Sequence, residues 1–365
     1  MRLRTSDVAG PGWRRLRHGR GFRYLDTDGR PLAPADRDRA RALAVPPAYK
    51  DVWICPWPNG HIQAVGTDEA GRRQYIYHPA FRAQQDAAKH AHVQNVARVL
   101  PALREQVERD LSGRGLTRVR VLACLTRLLD LGFLRIGGER YTRDNGSFGL
   151  TTLLRKHAQC RNGEVHLHFP AKSGKTVTRA LVDEQAYAVV RALLRRKDPG
   201  PRLFAYWERG AWYEVRAEEL NAYLRERAGR DVTAKDFRTW YATVLAAVAL
   251  GVSDGTSHAS RARRGTVVAR AVREVSGYLG NTPAVCRASY IDPRVIELYE
   301  DGKTVAPALD SLGENGLFGR PATHGPVEEA VLELLRDGRV GTVSSSGAAG
   351  AASRRAPSRP RPPGS

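Results

Sequence analysis

Short alternating segments broken by turn residues fill residues 13 to 80. In Gly21-Phe22-Arg23-Tyr24-Leu25-Asp26-Thr27-Asp28-Gly29-Arg30 an alternating strand runs into Asp-Gly, a tight-turn dipeptide. Val45 to Tyr49 reads as a turn, Val52-Trp53-Ile54-Cys55 as a strand, and Pro58-Asn59-Gly60-His61 as a second turn. Gln74 to His78 alternates like another strand. After Pro79 the period changes. Apolar residues recur at three- and four-residue spacing over 81–111 and 117–132, which predicts helices. Val165–Phe169 and Thr176–Leu181 alternate again and predict a hairpin around Lys172; helical patterns then fill most of 183–301. The expected class is α+β: a small β-rich N-terminal lobe over 1–80 and a mainly α-helical lobe with a β-hairpin over 81–320. Residues 321–340 hold a candidate C-terminal helix. Residues 341–365 are Ser, Gly, Ala, Pro and Arg with little else and no acid, which predicts a basic disordered tail.

Charge narrows the partner. Lysine and arginine number 59 against 38 acids, a formal net charge of +21, which favours a polyanion, nucleic acid before an anionic membrane. Val244 to Leu250, among the longest apolar runs, falls far short of the roughly 20 residues of a membrane span. The start, Met-Arg-Leu-Arg-Thr-Ser-Asp, lacks the apolar segment of a secretory signal. Cys55, Cys124, Cys160 and Cys286 are isolated, which suggests neither a zinc ribbon nor a disulfide framework. The expectation is a cytoplasmic, nucleoid-associated protein with reduced thiols.

The candidate chemistry is spread along the chain. Tyr290 lies in Leu279-Gly280-Asn281-Thr282-Pro283-Ala284-Val285-Cys286-Arg287-Ala288-Ser289-Tyr290-Ile291-Asp292-Pro293. Upstream stand Arg135 in Leu-Arg-Ile-Gly, Lys172 in Phe-Pro-Ala-Lys-Ser-Gly-Lys and Arg238 in Lys-Asp-Phe-Arg-Thr. A guanidinium offers a planar fork of donors and keeps its charge, which suits the non-bridging oxygens of a phosphate under attack. A lysine, protonated at neutral pH, can hand a proton to a departing alkoxide. Two other readings are weaker. Ser173-Gly174-Lys175-Thr176 mimics the end of a phosphate-binding loop, but Phe169 stands where that loop needs its first glycine. His166 and His168 share a strand face with no third metal ligand suggested.

Arg135, Lys172, Arg238, Asn281 and Tyr290, in this order, resemble the active site of the type IB DNA topoisomerases, most closely the compact poxvirus and bacterial forms. Gly71-Arg72-Arg73-Gln74-Tyr75-Ile76-Tyr77-His78 resembles their N-terminal lobe. The resemblance implies that Tyr290 attacks the scissile phosphate to give a 3′-phosphotyrosine, that Arg135 and Arg238 bear the phosphate charge, and that Lys172 is the general acid. It implies a donor role for Asn281, where the poxvirus form has histidine, and brings Lys235, on the same helix face as Arg238, to the phosphate site. Ser173 departs from the acidic residue of the poxvirus form. Arg140 and Tyr141 are implied as phosphate contacts, and Arg72, Arg73, Gln74, Tyr75 and Tyr77 as DNA contacts, the strand touching the major groove; a core-facing pair of tyrosines is the alternative. Further implications are two lobes closing as a clamp on duplex DNA, a monomer, and relaxation of supercoils without ATP, metal or cofactor. A tyrosine recombinase shares the catalytic order, but places histidine where Lys235 stands and has a helical N-terminal domain. A non-catalytic basic DNA-binding protein leaves the ordered residues unexplained.

The tail gives a first prediction. Deleting the chain after Gly341 leaves single-turnover cleavage at saturating protein unchanged. If Arg354, Arg355, Arg359 and Arg361 all engage duplex, deletion flattens the log–log salt dependence of binding by up to about 3.6, about 0.9 for each phosphate that is no longer neutralised. An unchanged slope means that the tail does not touch DNA.

Overall fold

The computed structural model describes residues 2–253, 261–309 and 324–337. The chain divides into two compact units, one up to His92 and the other from Val93. The C-terminal tail lies outside the described residues.

The first unit is built on an antiparallel sheet. Its strands are β1 (Trp13–His18), β2 (Gly21–Leu25), β3 (Lys50–Ile54), β4 (Ile62–Thr67) and β5 (Arg73–Tyr77), in the order β2-β1-β3-β4-β5. Trp13, Leu32, Ala40, Val52, Ile54 and Ala64 form its core. Arg15, 7% exposed, is held inside by donating to the carbonyls of Val45 (2.6 Å), Pro46 (2.9 Å) and Tyr49 (2.9 Å). The Asp28-Gly29 turn forms, with Gly29 at φ +82°, but only an isolated bridge between Leu25 and Pro31 follows it. The chain instead enters α1 (Pro34–Ala42), an unexpected helix. Its sequence, PADRDRARA, buries only Ala40 and so carries no apolar period; Pro34 at its start is the one local signal.

The second unit is mainly helical. It takes α2 (Pro79–Leu111) from Val93 onward, α3 (Arg118–Gly132), α4 (Glu139–Asn145), α5 (Glu184–Arg195), α6 (Ala217–Ala228), α7 (Ala234–Val252), α8 (Arg261–Leu279), α9 (Pro283–Ser289), α10 (Pro293–Glu300) and α11 (Pro326–Asp337). The expected hairpin is present as β7 (Glu164–Pro170) and β8 (Thr176–Val182), with β6 (Ala158–Arg161) as a third strand against β7. Register pairs Pro170 with Thr176, so Lys172–Gly174 form the turn at the tip. A second hairpin, β9 (Ala205–Glu208) and β10 (Ala211–Glu214), interrupts the stretch expected to be mostly helical. Its strands are too short to show alternation, while Arg209 and Gly210, both at positive φ, make the tight turn.

α7 is the axis of this unit. Phe237, Trp240, Tyr241 and Val244 are almost wholly buried, and polar Arg238, Thr239 and Thr243 are buried with them. A helix apolar on most faces belongs inside. Its start is fixed by Asp236, whose carboxylate accepts from the Thr233 backbone N–H and hydroxyl, both at 2.8 Å. No described helix is long and apolar enough to cross a membrane.

Candidate active site

Arg135 follows α3, which ends at Gly132, with Phe133 in the left-handed region at φ 53°. The next stretch is pinned by its backbone: the Arg135 carbonyl accepts from Leu150 N–H and that of Ile136 from Thr151 N–H, each at 2.8 Å. Gly137 and Gly149 meet backbone to backbone. A Cβ on Gly149 would sit 2.4 Å from Gly137 Cα, and one on Gly137 would sit 2.9 Å from Gly149 C. The glycine of Leu-Arg-Ile-Gly is thus a steric requirement of the loop that presents Arg135.

Arg238 reaches the same place from the first turns of α7. It is 4% exposed and donates to the carbonyls of Phe133 and, at 2.8 Å, Leu279. Burial, then the charge of Arg135, pushes its pKa down to about 10, offset in part by the Tyr290 hydroxyl. Burial likewise lowers Arg135. Both guanidiniums are charged at neutral pH, and among the described residues neither forms an ion pair. Two desolvated like charges without a counter-ion are costly unless an anion arrives.

Asn281 is placed by the way α8 ends. Gly280, at φ +64°, turns the chain; Gly280 N–H donates to Gly277 O (3.2 Å) and Asn281 N–H to Ser276 O (3.0 Å), the two bonds of a Schellman closure. The Asn281 side-chain oxygen accepts from Arg135 Nη2, which also lies 3.4 Å from Gly280 O. Its Nδ2 is buried and unpartnered, as is Arg238 Nε.

Tyr290 closes the far end of α9. Thr282 caps that helix by accepting from Val285 N–H (3.3 Å), Pro283 starts it, and Tyr290 N–H donates to Cys286 O (3.0 Å). Just beyond, Asp292 caps α10 (Arg294 N–H, 3.0 Å) and takes Gln94 Nε2 at 3.1 Å, while its own N–H donates to Thr243 on α7 at 3.1 Å. Tyr290 is half-buried, and the Arg238 guanidinium carbon lies 5.5 Å from its ring centroid. Arg135, Arg238, Asn281 and Tyr290 therefore form one cluster.

Most of the other expected residues are exposed. Lys172 is exposed at the hairpin tip, and Lys175, three residues on, donates from Nζ to Asn281 O at 3.2 Å. Lys235 is exposed in the first turn of α7. Arg140 and Tyr141 stand exposed on α4, with Arg140 Nε 3.4 Å from Asp144. In the first unit, strand alternation puts Arg73, Tyr75 and Tyr77 on an exposed face, the tyrosine rings stacked 6.1 Å apart, and not on the core. Gln74 points to the other face and donates to Asp68 (2.9 Å), which also holds Arg72 by a 2.8 Å ion pair; the Arg72 backbone N–H, then its guanidinium, lower the Asp68 pKa to about 2. His166 and His168 meet Glu164 and Thr178 at 3.0 Å each, and no described group of three or more His, Cys, Asp or Glu is placed to hold a metal.

Two site residues were not anticipated in these roles. Lys175 was visible only as part of the imperfect phosphate-loop motif. Arg179 on β8 donates to the Gly132 carbonyl (3.3 Å) and to that of Tyr278, tying the hairpin to the ends of α3 and α8; nothing in the local sequence marks it.

Comparison with known proteins gives matches on both units. Residues 78–306 match the family described as the catalytic core of eukaryotic DNA topoisomerase I, and residues 21–68 the N-terminal domain of bacterial DNA topoisomerase IB. The DNA topoisomerase 1B of Acanthamoeba polyphaga mimivirus is 28% identical over 288 residues, 77% of this chain and 84% of that protein. The DNA topoisomerase 1B of Vaccinia virus (strain Copenhagen) is 22% identical over 240 residues, 65% of this chain and 72% of that protein.

The α8 closure can be tested alone. At Gly280 an added Cβ would meet only Arg135 Nη1, at 3.9 Å, so the cost of Gly280→Ala is conformational. Urea unfolding should show a loss of about 1–2 kcal/mol, the penalty of a left-handed non-glycine residue. An unchanged midpoint would remove the Schellman closure as the reason for this glycine.

Proposed function

The chain belongs to the type IB DNA topoisomerase family, and we propose that the cluster of Arg135, Arg238, Asn281 and Tyr290, with Lys172, is where it cuts and rejoins one strand. The protein relaxes supercoiled duplex DNA by transient single-strand cleavage. The observation that carries the assignment of residues is that, among the described residues, the buried donors Arg238 Nε and Asn281 Nδ2 have no hydrogen-bond partner and the two guanidiniums beside them and the tyrosine have no ion-pair partner. A phosphodiester supplies what these groups lack among the described residues: a negative charge, and acceptors for Arg238 Nε and Asn281 Nδ2.

In this reading the Tyr290 phenol gives its proton to water and its oxygen attacks phosphorus, forming a phosphotyrosine as the bond to the 5′ oxygen breaks. Arg135 and Arg238 meet the charge growing on the non-bridging oxygens, the type of stabilisation that usually contributes most to catalysis. Asn281 adds a neutral donor. Its oxygen is taken by Arg135, so Nδ2 is oriented to give rather than receive. Lys172 protonates the leaving 5′ oxygen from the hairpin tip. The new linkage keeps the energy of the old one, so the reverse attack reseals the strand without ATP; the cationic side chains supply the charge compensation, so chelators should leave relaxation intact. While the strand is open, the free end swivels and superhelical strain dissipates.

We further propose that the exposed face bearing Arg73, Tyr75 and Tyr77, with Arg72, meets the duplex, and that Lys235, Arg140 and Tyr141 contact phosphates near the cut. Gln74, held by Asp68, reads a base only by giving up that bond. Closure of both units around DNA as a monomeric clamp completes the proposal.

Three outcomes test it. Tyr290→Phe should bind DNA as before and form no covalent adduct, and adducts of the unaltered chain should carry protein on the 3′ side of the nick; protein on the 5′ side sinks the assignment. Lys172→Ala should slow cleavage by about 10²- to 10⁴-fold, and a substrate with sulfur at the bridging 5′ position, which leaves without a proton, should largely erase that defect. Equal slowness on both substrates means that Lys172 is not the acid. Asn281→Ala should cost roughly 10- to 150-fold in cleavage, the value of a hydrogen bond to a charged group acting in the transition state, while Asn281→His keeps much of the rate; full activity in Asn281→Ala refutes its role.

A further inference from the structure

Behind the cluster lies a second set of polar side chains that this chemistry does not use. Glu328, in the first turn of α11, is 4% exposed. Its carboxylate accepts from Arg104 Nη1 (2.6 Å) and Nη2 (3.0 Å), from the Trp240 indole N–H (2.8 Å) and from the Gly325 backbone N–H (3.1 Å). Arg104, on α2, also donates to both oxygens of Asp130 on α3, at 2.9 and 3.3 Å, and to the Tyr241 hydroxyl on α7 at 2.9 Å. That hydroxyl donates to Asp130 and lies 3.0 Å from His324 Nε2. One guanidinium thus joins α2, α3, α7 and α11. A buried ionic network is weak evidence for stability as such, because desolvation offsets most of the attraction. What it provides is a defined geometry.

That geometry leads to the phosphate site. Asp130 lies three residues before Phe133, whose carbonyl accepts from Arg238 and whose ring meets Tyr241 edge-on at 5.3 Å. Trp240 and Tyr241 follow Arg238 on α7 by two and three residues, and Arg135 follows Phe133 by two. Glu328 itself lies beyond residues 78–306, the part of the chain that matches the family's catalytic core. We propose that Glu328 is a positioning residue for the reaction: through Arg104, Asp130 and Trp240 it fixes the end of α3 against α7, and so the spacing of Arg135 from Arg238. The inference rests on assigning those two arginines to the scissile phosphate.

A double-mutant cycle on the full chain separates positioning from a general brace. Glu328→Ala and Glu328→Gln, the second keeping the size and an acceptor for Trp240, are each made alone and with Arg238→Ala. Cleavage of a single-site duplex is followed in single turnover at saturating protein, with DNA affinity measured alongside. Residues that act through one another are non-additive, so either Glu328 change should slow the native chain about tenfold or more at unchanged affinity, yet slow Arg238→Ala by less than about threefold further. The same fold loss in both backgrounds, or none in the native one, overturns the proposal, and Glu328→Gln carries the comparison if Glu328→Ala does not fold. Undiminished cleavage by Arg238→Ala alone would instead sink the phosphate-site reading, and this proposal with it.

Discussion

The Arg238 guanidinium is buried and that of Arg135 partly so, close enough that the charge of Arg135 depresses the pKa of Arg238, and among the described residues no carboxylate pairs with either. A carboxylate partner would hold them more firmly and would also take the place that the proposed reading gives to a phosphate. The fold uses helix ends instead. Arg238 donates to the carbonyls of Phe133, just past α3, and Leu279, the last residue of α8; Arg135 leans on the carbonyl of Gly280. The C-terminus of a helix carries a partial negative charge, about half an electron, that interacts favourably with a cation without cancelling it. The arginines are thereby oriented and still attract an anion.

Much of the second unit follows from that need. α7 is buried on most sides, which desolvates Arg238. α8 ends in a glycine closure that delivers both a carbonyl to the arginines and, one residue on, Asn281. α9 spans only the distance from that closure to Tyr290, and the Asp292 cap stops the chain from drifting beyond it. Lys172 stands on an exposed turn, on the hairpin whose Lys175 donates to the Asn281 carbonyl. In the proposed mechanism the proton donor for the leaving alkoxide meets the far side of the phosphate, and an exposed hairpin tip leaves a lysine free to reach it.

The sequence carried the candidate residues Arg135, Arg238, Asn281 and Tyr290 that the fold brings together, the change from period two to helical spacing after Pro79, and the hairpin around Lys172. These are local signals and survive without a structure. α1 was invisible because it buries a single alanine, and β9–β10 because four-residue strands are too short to alternate. Gln74 was grouped with Arg73, Tyr75 and Tyr77 by adjacency, whereas a strand sends neighbours to opposite faces. Arg179 and Glu328 depend on contacts from 47 to 224 residues away, and no window along the chain contains those partners.

The contact of Gly137 with Gly149 restricts how this site can change through mutation. Elsewhere in a core, a larger residue at one position can be rescued by a smaller one opposite, because side chains trade volume. Here each glycine meets the other's main chain, which cannot be made smaller. No second substitution at the partner restores the fit. Variation that shifts Arg135 must therefore come from moving whole segments of backbone, and a lineage that loses either glycine is expected to regain function by reversion rather than by compensation.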